Sequence, residues 1–571
     1  MVAFQLLTGR TRHSLSGRWR SIVDPYEAGY RTFYGEPWEM GWFSDLPLRP
    51  GVAEYDWQKA DLLDVPGDWN SQDPKLFFYE GSVWYRRDFQ HEIKNGQRAF
   101  LYFGAANYET VAWLNGQEIG RHVGGFTPFA FEVTESIRSG TNSLFLKIDN
   151  TRNRSAVPMT STDWWNYGGP TRDIELVETP ETFVHRFGIS LQENEITGFI
   201  QLDGPLSEGQ SVSLRIPELG IEQEIESDSA GTARFQFSAE PERWAPGAPR
   251  LYDVEIESGA DQVSDRVGFR TITTRGSEIL INDEPVFLRG ISLHEEAPNR
   301  PGRAFGRDDA QTLLGWAVEL GCNFVRLAHY PHDEATVRRA DELGLLVWAE
   351  IPVYWNIDWE NPTTLECAES QLEELIERDR NRAAVILWSL SNESPHSEAR
   401  LNFLKALVDR ARQLDSSRLL TAALMARFVE GGMHIDDPIG EYLDVMGCNE
   451  YLGWYYKELD DVADVPWSTT YDKPLIMSEL GAGAVAGSIG DEETIFTERH
   501  QARVYREQIA MMKKIPFLAG LSPWILKDFR SPRRVLPGIQ DYYNRKGLIS
   551  ERGQKKMAFD VLRRWYLEIE D

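Results

Sequence analysis

Two glutamates in the C-terminal half of the chain directly follow apolar runs. Glu393 ends the stretch LWSLSNE, and Glu479 ends the stretch PLIMSE. The usual interpretation of each is a solvated residue at the end of a strand. Two carboxyl groups that face each other can instead protonate a leaving oxygen and attack, or activate water against, the adjoining carbon. Such chemistry requires a fold that brings these two distant positions together.

The segment from residue 275 to residue 571 alternates strand-like apolar runs with amphipathic helices. Helical stretches such as DDAQTLLGWAVELG have apolar residues spaced by about 3.6 positions. Eight β/α units predict a (β/α)8 TIM barrel. A doubly wound sheet is the competing fold, but LRGISLHEE after the first run is not the glycine-rich phosphate turn typical of such sheets. The runs are VFLRGIS, CNFVRLA, LLVWAEI, AVILWSL, RLLTAAL, DVMGCNE, PLIMSEL and AGLSPWIL.

Active sites of such barrels lie at the carboxyl ends of the strands. Strands 4 and 7 deliver Glu393 and Glu479 to roughly opposite sides of this mouth. A facing carboxylate pair surrounded by aromatic residues suits glycoside hydrolysis, and a separation of about 5 Å indicates a retaining enzyme. Glu350 and Glu450 are rival carboxylates. We expect Glu350 to make a supporting hydrogen bond or ion pair, and Glu450 to point away from the barrel axis through strand alternation.

The sequence pattern before the barrel predicts β-structure. Residues 1–181 contain short strand-like runs, such as GSVWYRRDF and RAFLYFGA, separated by Gly, Asn and Asp turns. They predict a jelly-roll-type β-sandwich. Residues 182–274 repeat short strands such as SVSLRIP and LYDVEIES, which favours an immunoglobulin-like sandwich without its cysteine pair.

Composition excludes several classes of partner and cofactor. The formal net charge of −29 opposes binding to nucleic acid and to anionic membranes. Three cysteines without CxxC spacing argue against a disulfide framework and against a zinc site. The N-terminus is a poor signal peptide and no long apolar run occurs, so we expect a cytoplasmic protein, or a periplasmic or secreted one if a leader was removed.

These motifs resemble glycoside hydrolase family 2. Asn392-Glu393 after strand 4 and KPLIMSELGA around Glu479 match its catalytic segments, and LRGISLHEE and CNFVRLAHYPH match its first barrel strands. SLSGRWR, VPGDWN, YEGSVWYRR and DWWNYGGPTRDI look like its sugar-binding sandwich. The resemblance implies that Glu393 is the acid/base, that Glu479 is the nucleophile, and that Asn392 bonds the sugar 2-hydroxyl. It implies no metal or organic cofactor, and a homodimer or homotetramer.

The C-terminal segment points to the sugar. Asn544 and Lys546 in DYYNRKGLIS match the Asn-x-Lys pair with which β-glucuronidases of the family hold the sugar carboxylate; otherwise the segment is a basic loop before a final helix. A cluster of cations near strand 8 also predicts an anionic ligand: Lys527, Arg530, Arg533, Arg534, Arg545 and Lys546. The resemblance further implies sugar-binding roles for Asp163, His294, His329, Asn449, Tyr451, Tyr455 and Trp524, to which we add Arg530.

We therefore expect a retaining exo-β-glucuronidase that acts on a uronic-acid glycoside. The short segment after strand 3, IPVYWNIDWENPTTLECAES, predicts an open site that admits acidic oligosaccharides as well as small conjugates. A β-galacturonidase and then a β-galactosidase are the alternatives within the family. A non-catalytic carbohydrate-binding protein is the alternative from another class.

Overall fold

The first domain of the computed structural model, which describes residues 3–32, 34–37, 41–44, 55–92 and 96–569, is a β-sandwich. Two antiparallel sheets enclose a core that includes the buried rings of Trp19, Trp69 and Tyr85. The predicted sandwich is thereby confirmed. The six-stranded sheet has the order Asp61–Val65, Gly17–Asp24, Ser82–His91, Gly140–Asp149, Glu109–Leu114 and Gln117–Val123; the four-stranded sheet has the order Thr11–Ser14, Ile174–Pro180, Gln97–Phe103 and Phe129–Glu132. Two short helices, Trp69–Gln72 and Pro74–Leu76, follow the strand Asp61–Val65.

The second domain is a smaller sandwich, as the sequence predicted. Burial alternates along strands such as Tyr252–Ser258, because one face of each strand packs on the core and the other faces water. The boundaries at residues 181/182 and 274/275 stay predictions. The sheets have the orders Phe183–Gln192, Glu195–Asp203, Thr232–Ser238 and Ile221–Glu226, Ser211–Ile216, Tyr252–Ser258, Asp261–Val267, with a 3-10 helix at Pro217–Leu219.

The third domain is a closed barrel of eight parallel strands, which confirms the predicted TIM barrel. All residues of its fourth strand are buried, because helices cover the outside and side chains fill the inside. A three-stranded sheet, Ile272–Arg275, Glu278–Ile281 and Glu284–Pro285, precedes the barrel. Barrel strands 1 to 8 are Leu288–Leu293, Phe324–Leu327, Leu346–Glu350, Val385–Asn392, Leu419–Met425, Met446–Asn449, Leu475–Glu479 and Leu518–Leu521.

Six α-helices accompany these strands within the described part of the chain. In the fifth and sixth units, the 3-10 helices Pro438–Glu441 and Leu459–Asp464 stand where an α-helix was expected. A small sheet of Arg427–Val429, Gly432–Ile435 and Trp467–Thr469 joins these two units. The α-helices are Gly306–Leu320, Glu334–Leu343, Pro362–Asp379, Glu398–Leu414, Glu498–Met512 and Met557–Glu568. Within the described residues, no helix has the length and apolar character needed to cross a bilayer.

The first sandwich docks on the barrel mouth through buried polar contacts. Arg172 donates hydrogen bonds of 3.1 and 3.2 Å to the two carboxylate oxygens of Glu295. Tyr167 donates to Glu296 over 2.9 Å. These contacts fix the sandwich loop that carries Asp163 against the barrel. On the barrel side, the strand pair Phe529–Arg530 and Tyr543–Asn544 holds the chain after strand 8 at the same mouth.

Candidate active site

A cavity of about 320 Å³ opens at the carboxyl ends of the barrel strands. Its volume lies at the lower end of the range for small-molecule sites. Nine of the residues predicted for the site line it: Asp163, His329, Glu393, Asn449, Tyr451, Tyr455, Glu479, Trp524 and Lys546. The cavity is completed by Tyr354, Trp355, Met425, Ala426, Glu450, Tyr456 and Arg534.

Glu479 is the last residue of barrel strand 7, and only 5% of its surface is exposed. Its Oε1 accepts a hydrogen bond of 3.0 Å from the Arg326 guanidinium, and its Oε2 accepts one of 2.6 Å from the Tyr451 hydroxyl. Both partners stabilise the ionised form of the carboxyl group, and both fix its orientation. This is the environment that a carboxylate nucleophile requires.

Arg326 connects several polar groups beneath the cavity. Its guanidinium donates to Glu350 Oε1 over 3.1 Å, to Asn392 Oδ1 over 2.7 Å and to Glu479. The side chain of Arg326 is fully buried. Sequence reasoning did not single out this residue, although an arginine inside the apolar run CNFVRLA was an available signal. Glu350 makes the ion pair that was expected of it.

Glu393 follows barrel strand 4 with a positive φ of 47°. This backbone conformation is uncommon for a residue other than glycine, and it turns the carboxyl group into the cavity. The Trp355 indole N–H donates to Glu393 Oε2 over 2.8 Å. Trp355 also has a positive φ, of 56°. The chain therefore departs from regular geometry at the two residues that present this carboxyl group.

The carboxyl groups of Glu393 and Glu479 are electrostatically coupled. Burial first, and the facing Glu393 carboxylate in addition, raise the pKa of Glu479 to about 8, although Arg326 and Tyr451 oppose the rise. A second carboxylate in the same cavity therefore works against the ionised form of Glu479, while Arg326 and Tyr451 stabilise that form.

Asn392 lies directly beneath the cavity and does not line it. Its Oδ1 accepts hydrogen bonds from Arg326 and, over 3.1 Å, from Asn449 Nδ2. These bonds fix the orientation of the amide. The Nδ2 group of Asn392 is buried and has no partner among the described residues. A buried donor without a partner is costly, and a ligand oxygen would satisfy it.

A cluster of polar side chains lies on the side of the cavity that is formed by the loops after strands 6 and 8. The Lys546 ammonium donates to the Tyr455 hydroxyl over 2.6 Å. Asp163 accepts from Arg534 and, over 3.2 Å, from Asn544 Nδ2. Burial would raise the pKa of Tyr455, but Lys546 and Arg534 outweigh it and lower that pKa. The field here is positive in a chain whose overall charge is strongly negative, and it favours an anion.

Histidine and tryptophan rings form the floor of the cavity. His329 stacks on Trp524 with ring centroids 4.7 Å apart, and its Nδ1 lies 2.9 Å from Glu350 Oε1. Burial lowers the pKa of His329 to about 4, so its ring is neutral at pH 7. His294 lies behind this layer, against the edge of Trp524 and 3.1 Å from the Tyr330 hydroxyl, and does not line the cavity.

Four of the predicted site residues do not line the cavity: His294, Asn392, Arg530 and Asn544. Arg530 is not brought to the cavity, because its guanidinium lies over the rings of Phe77 and Tyr543. Arg534, four residues later, lines the cavity instead. The expectation that Glu450 points away from the axis is wrong, since Glu450 lines the cavity. A register irregularity at residues 448–449 breaks the alternation on which that expectation relied. Burial raises the pKa of Glu450 to about 7.

One group among the described residues has the spacing of metal ligands. It consists of His13, His91 and Glu178, which lie in the first sandwich and do not line the active-site cavity. The cavity itself presents carboxyl, amide, ammonium, guanidinium and aromatic groups. These groups suit the binding and cleavage of a carbohydrate.

The fold and the paired carboxylates define a glycoside hydrolase. The family models described as "Glycosyl hydrolases family 2" match three segments in succession: the sugar binding domain at residues 31–180, the central domain at 190–270 and the TIM barrel domain at 272–529. Together they account for most of the chain. The protein belongs to glycoside hydrolase family 2.

Individual relatives resemble the chain over its full length. A β-glucuronidase of Paenibacillus borealis is 28% identical, with 96% of each chain covered. The solved structure of a β-glucuronidase from an uncultured Clostridium species has a TM-score of 0.84 at 26% identity, with 100% of each chain covered. A β-galacturonidase of Eisenbergiella tayi has a TM-score of 0.83 at 23% identity, covering 100% of this chain and 99% of that one, and shares the fold.

Proposed function

We propose that the protein is a retaining, exo-acting β-glucuronidase. It removes terminal β-linked glucuronic acid from glucuronides or acidic oligosaccharides. The observation that carries the proposal is the buried Lys546 ammonium beside Tyr455, in the same cavity as Glu393 and Glu479. The full-length likeness to β-glucuronidases supports the same activity.

Cleavage proceeds in two steps. Glu479 attacks the anomeric carbon while Glu393 gives its proton to the glycosidic oxygen, and the aglycone leaves as an alcohol. The sugar is then bound covalently to Glu479. Glu393, now ionised, takes a proton from water, and the resulting hydroxide attacks the anomeric carbon and releases glucuronate. The two inversions restore the β configuration.

Recognition of the substrate divides between two sides of the cavity. Lys546 supplies charge to the sugar carboxylate and Asn544 supplies a directed amide, with Arg534 nearby. From beneath the cavity, the Nδ2 group of Asn392, which has no hydrogen-bond partner among the described residues, donates to the sugar 2-hydroxyl, a contact that strengthens as the transition state forms. Trp524 provides an apolar face beneath the ring.

The test is kcat/KM on p-nitrophenyl β-glucuronide, β-galacturonide and β-galactoside. We expect the glucuronide to be preferred. A preference for the galacturonide would leave the carboxylate site intact and change the sugar, since the two uronic acids differ only at C4. A preference for the neutral galactoside would contradict the role of Lys546. Binding of glucuronate without hydrolysis of any glycoside would indicate a carbohydrate-binding protein.

The proposal extends to assembly and location. We propose a homodimer or homotetramer, which sedimentation equilibrium of the purified protein would distinguish from a monomer. We propose a cytoplasmic location, or a periplasmic or secreted one if a leader precedes the mature chain, which cell fractionation tests.

A further inference from the structure

We propose that Trp355 and Arg533 form a subsite for an anionic group on the aglycone. The inference rests on the proposed glycosidase function and adds the chemical class of the leaving group. Arg533 comes from the loop after barrel strand 8, and Trp355 from the loop after strand 3. Their contact closes one side of the cavity mouth next to Glu393.

The position of Trp355 identifies this side as the aglycone side. The glycosidic oxygen must lie within hydrogen-bond reach of Glu393, because Glu393 gives it a proton. The Trp355 indole nitrogen is 2.8 Å from Glu393 Oε2. Lys546 lies elsewhere in the cavity, over the rings of Tyr451 and Tyr455 in the loop after strand 6. A sugar whose carboxylate meets Lys546 therefore directs its aglycone toward Trp355.

Arg533 is placed to meet that aglycone. Its guanidinium carbon lies 4.9 Å from the Trp355 ring centroid, and its Nη1 donates to the Ser161 hydroxyl over 3.0 Å. Stacking and this single hydrogen bond fix the plane of the guanidinium. The Nε and Nη2 groups of Arg533 have no hydrogen-bond partner among the residues that the structure describes. Their fork geometry matches a carboxylate or a sulfate.

Arg533 has no acidic neighbour among the described residues; other exposed arginines, such as Arg234 and Arg564, also lack an ion pair, but Arg533 lies over a ring that lines the cavity. Acidic residues outnumber basic ones by 89 to 60, and the exposed Arg275, Arg307 and Arg427 each pair with a carboxylate. Within the described part of the chain, no carboxylate lies in ion-pair contact with Arg533. If Arg533 only supported the fold, its contact with the Trp355 ring would be sufficient. Because its Nε and Nη2 groups are also available at the mouth of the cavity, Arg533 suits the binding of an anionic ligand.

Two matched pairs of substrates test the proposal. One pair is meta-carboxyphenyl and meta-carbamoylphenyl β-glucuronide, and the other is a glucuronosyl-hexose with and without a sulfate on the hexose. For each pair, the measured quantity is the ratio of kcat/KM for the charged substrate to that for the neutral one. The aryl pair reports a carboxylated aromatic aglycone, and the disaccharide pair reports an acidic saccharide.

We expect the wild-type ratio to exceed one in at least one pair, and Arg533→Gln to lower that ratio by roughly fivefold, the effect of one partly exposed ion pair. Arg533→Lys should restore part of the ratio, and added salt should reduce it. The control is Arg427→Gln, which removes an exposed arginine already paired with Asp436 and should leave the ratio unchanged. A ratio that is the same in wild type and Arg533→Gln would overturn the subsite.

The glucuronidase function and the anionic subsite can be refuted separately. If wild type hydrolyses p-nitrophenyl β-glucuronide but shows no preference for either charged substrate, the subsite is refuted and the glucuronidase function stands. If wild type hydrolyses no β-glucuronide, the proposed function is refuted and the subsite with it.

Discussion

The Arg326 guanidinium lies 3.0 Å from Oε1 of Glu479, and both residues are buried. An arginine inside a barrel needs compensating charge, and the nearby Glu350 supplies it. One cation thus orients the proposed nucleophile while a second carboxylate balances it. The orientation of Glu479 is thus set in part by a residue that does not line the cavity.

The roles proposed for Glu479 and Glu393 predict opposite products of azide rescue. Glu479→Gly removes the nucleophile, so turnover should fall by about a thousandfold or more. Azide that enters the vacated space displaces the aglycone in one inversion and should give the α-glucuronosyl azide. In Glu393→Ala, azide should intercept the glycosyl-enzyme in a second inversion and give the β-azide. NMR of the products distinguishes these outcomes, and the reverse pattern would exchange the two assignments.

The raised pKa of Glu479 predicts the acidic limb of the pH profile. The proposed nucleophile must be ionised to attack, and burial together with the Glu393 carboxylate raises its pKa to about 8. Wild-type kcat/KM on p-nitrophenyl β-glucuronide should therefore rise as pH increases toward about 8. Glu393→Gln removes the second of these two causes, so the limb should move to lower pH, and turnover of this substrate can still be followed because p-nitrophenolate leaves without a proton. An acidic limb at the same pH in wild type and Glu393→Gln would assign the titration to another group.

The sequence predicted the barrel and the positions of the two cavity glutamates, because both follow from local patterns. Apolar runs buried on both faces alternate with amphipathic helices, and Glu393 and Glu479 end two of these runs. The positions of the other charges depend on neighbours that are distant in sequence. Arg326 is satisfied by residues on strands 3, 4 and 7, which no periodicity relates to it.

Local irregularities explain the remaining differences. The expectation for Glu450 assumed regular strand alternation, and it was wrong because the strand register shifts immediately before this residue. The sequence identified a cluster of cationic residues after strand 8 but did not show which of them face the cavity. The strand pair after barrel strand 8 places Arg530 among aromatic rings and leaves Arg534 and Lys546 to face the cavity. Such assignments require the three-dimensional path of the loop.

Lys546 should control the preference for a charged sugar. Lys546→Ala removes a charge-assisted contact of about 1.5–3 kcal/mol, so kcat/KM on p-nitrophenyl β-glucuronide should fall roughly 10- to 100-fold. Any activity on the β-galactoside should fall much less. Lys546→Arg is the matched control, because it keeps the charge and should retain more glucuronidase activity than Lys546→Ala. Equal losses on both sugars would show that Lys546 supports the fold of the site instead of reading the carboxylate.

Glu350 should matter for both stability and turnover. Burial opposes its ionisation, but Arg326 and His329 lower its pKa to about 2. Because the folded-state pKa lies below the unfolded value of about 4.3, Glu350 stabilises the protein fully above that pH. This contribution is lost as pH falls toward 2, so wild type and Glu350→Ala should be compared at pH 7. At that pH, Glu350→Ala leaves the charge of Arg326 partly uncompensated and should lower the free energy of unfolding by about 3 kcal/mol.

The measurement is the midpoint of urea unfolding together with kcat. Glu350→Ala should lower both, because Arg326 also orients Glu479. Glu342→Ala is the control, since Glu342 pairs with Arg307 and Arg339 at the barrel surface, where an ion pair contributes about 1 kcal/mol or less. It should leave kcat unchanged. If Glu350→Ala lowered the unfolding midpoint but not kcat, the connection from Glu350 through Arg326 to the nucleophile would be purely structural.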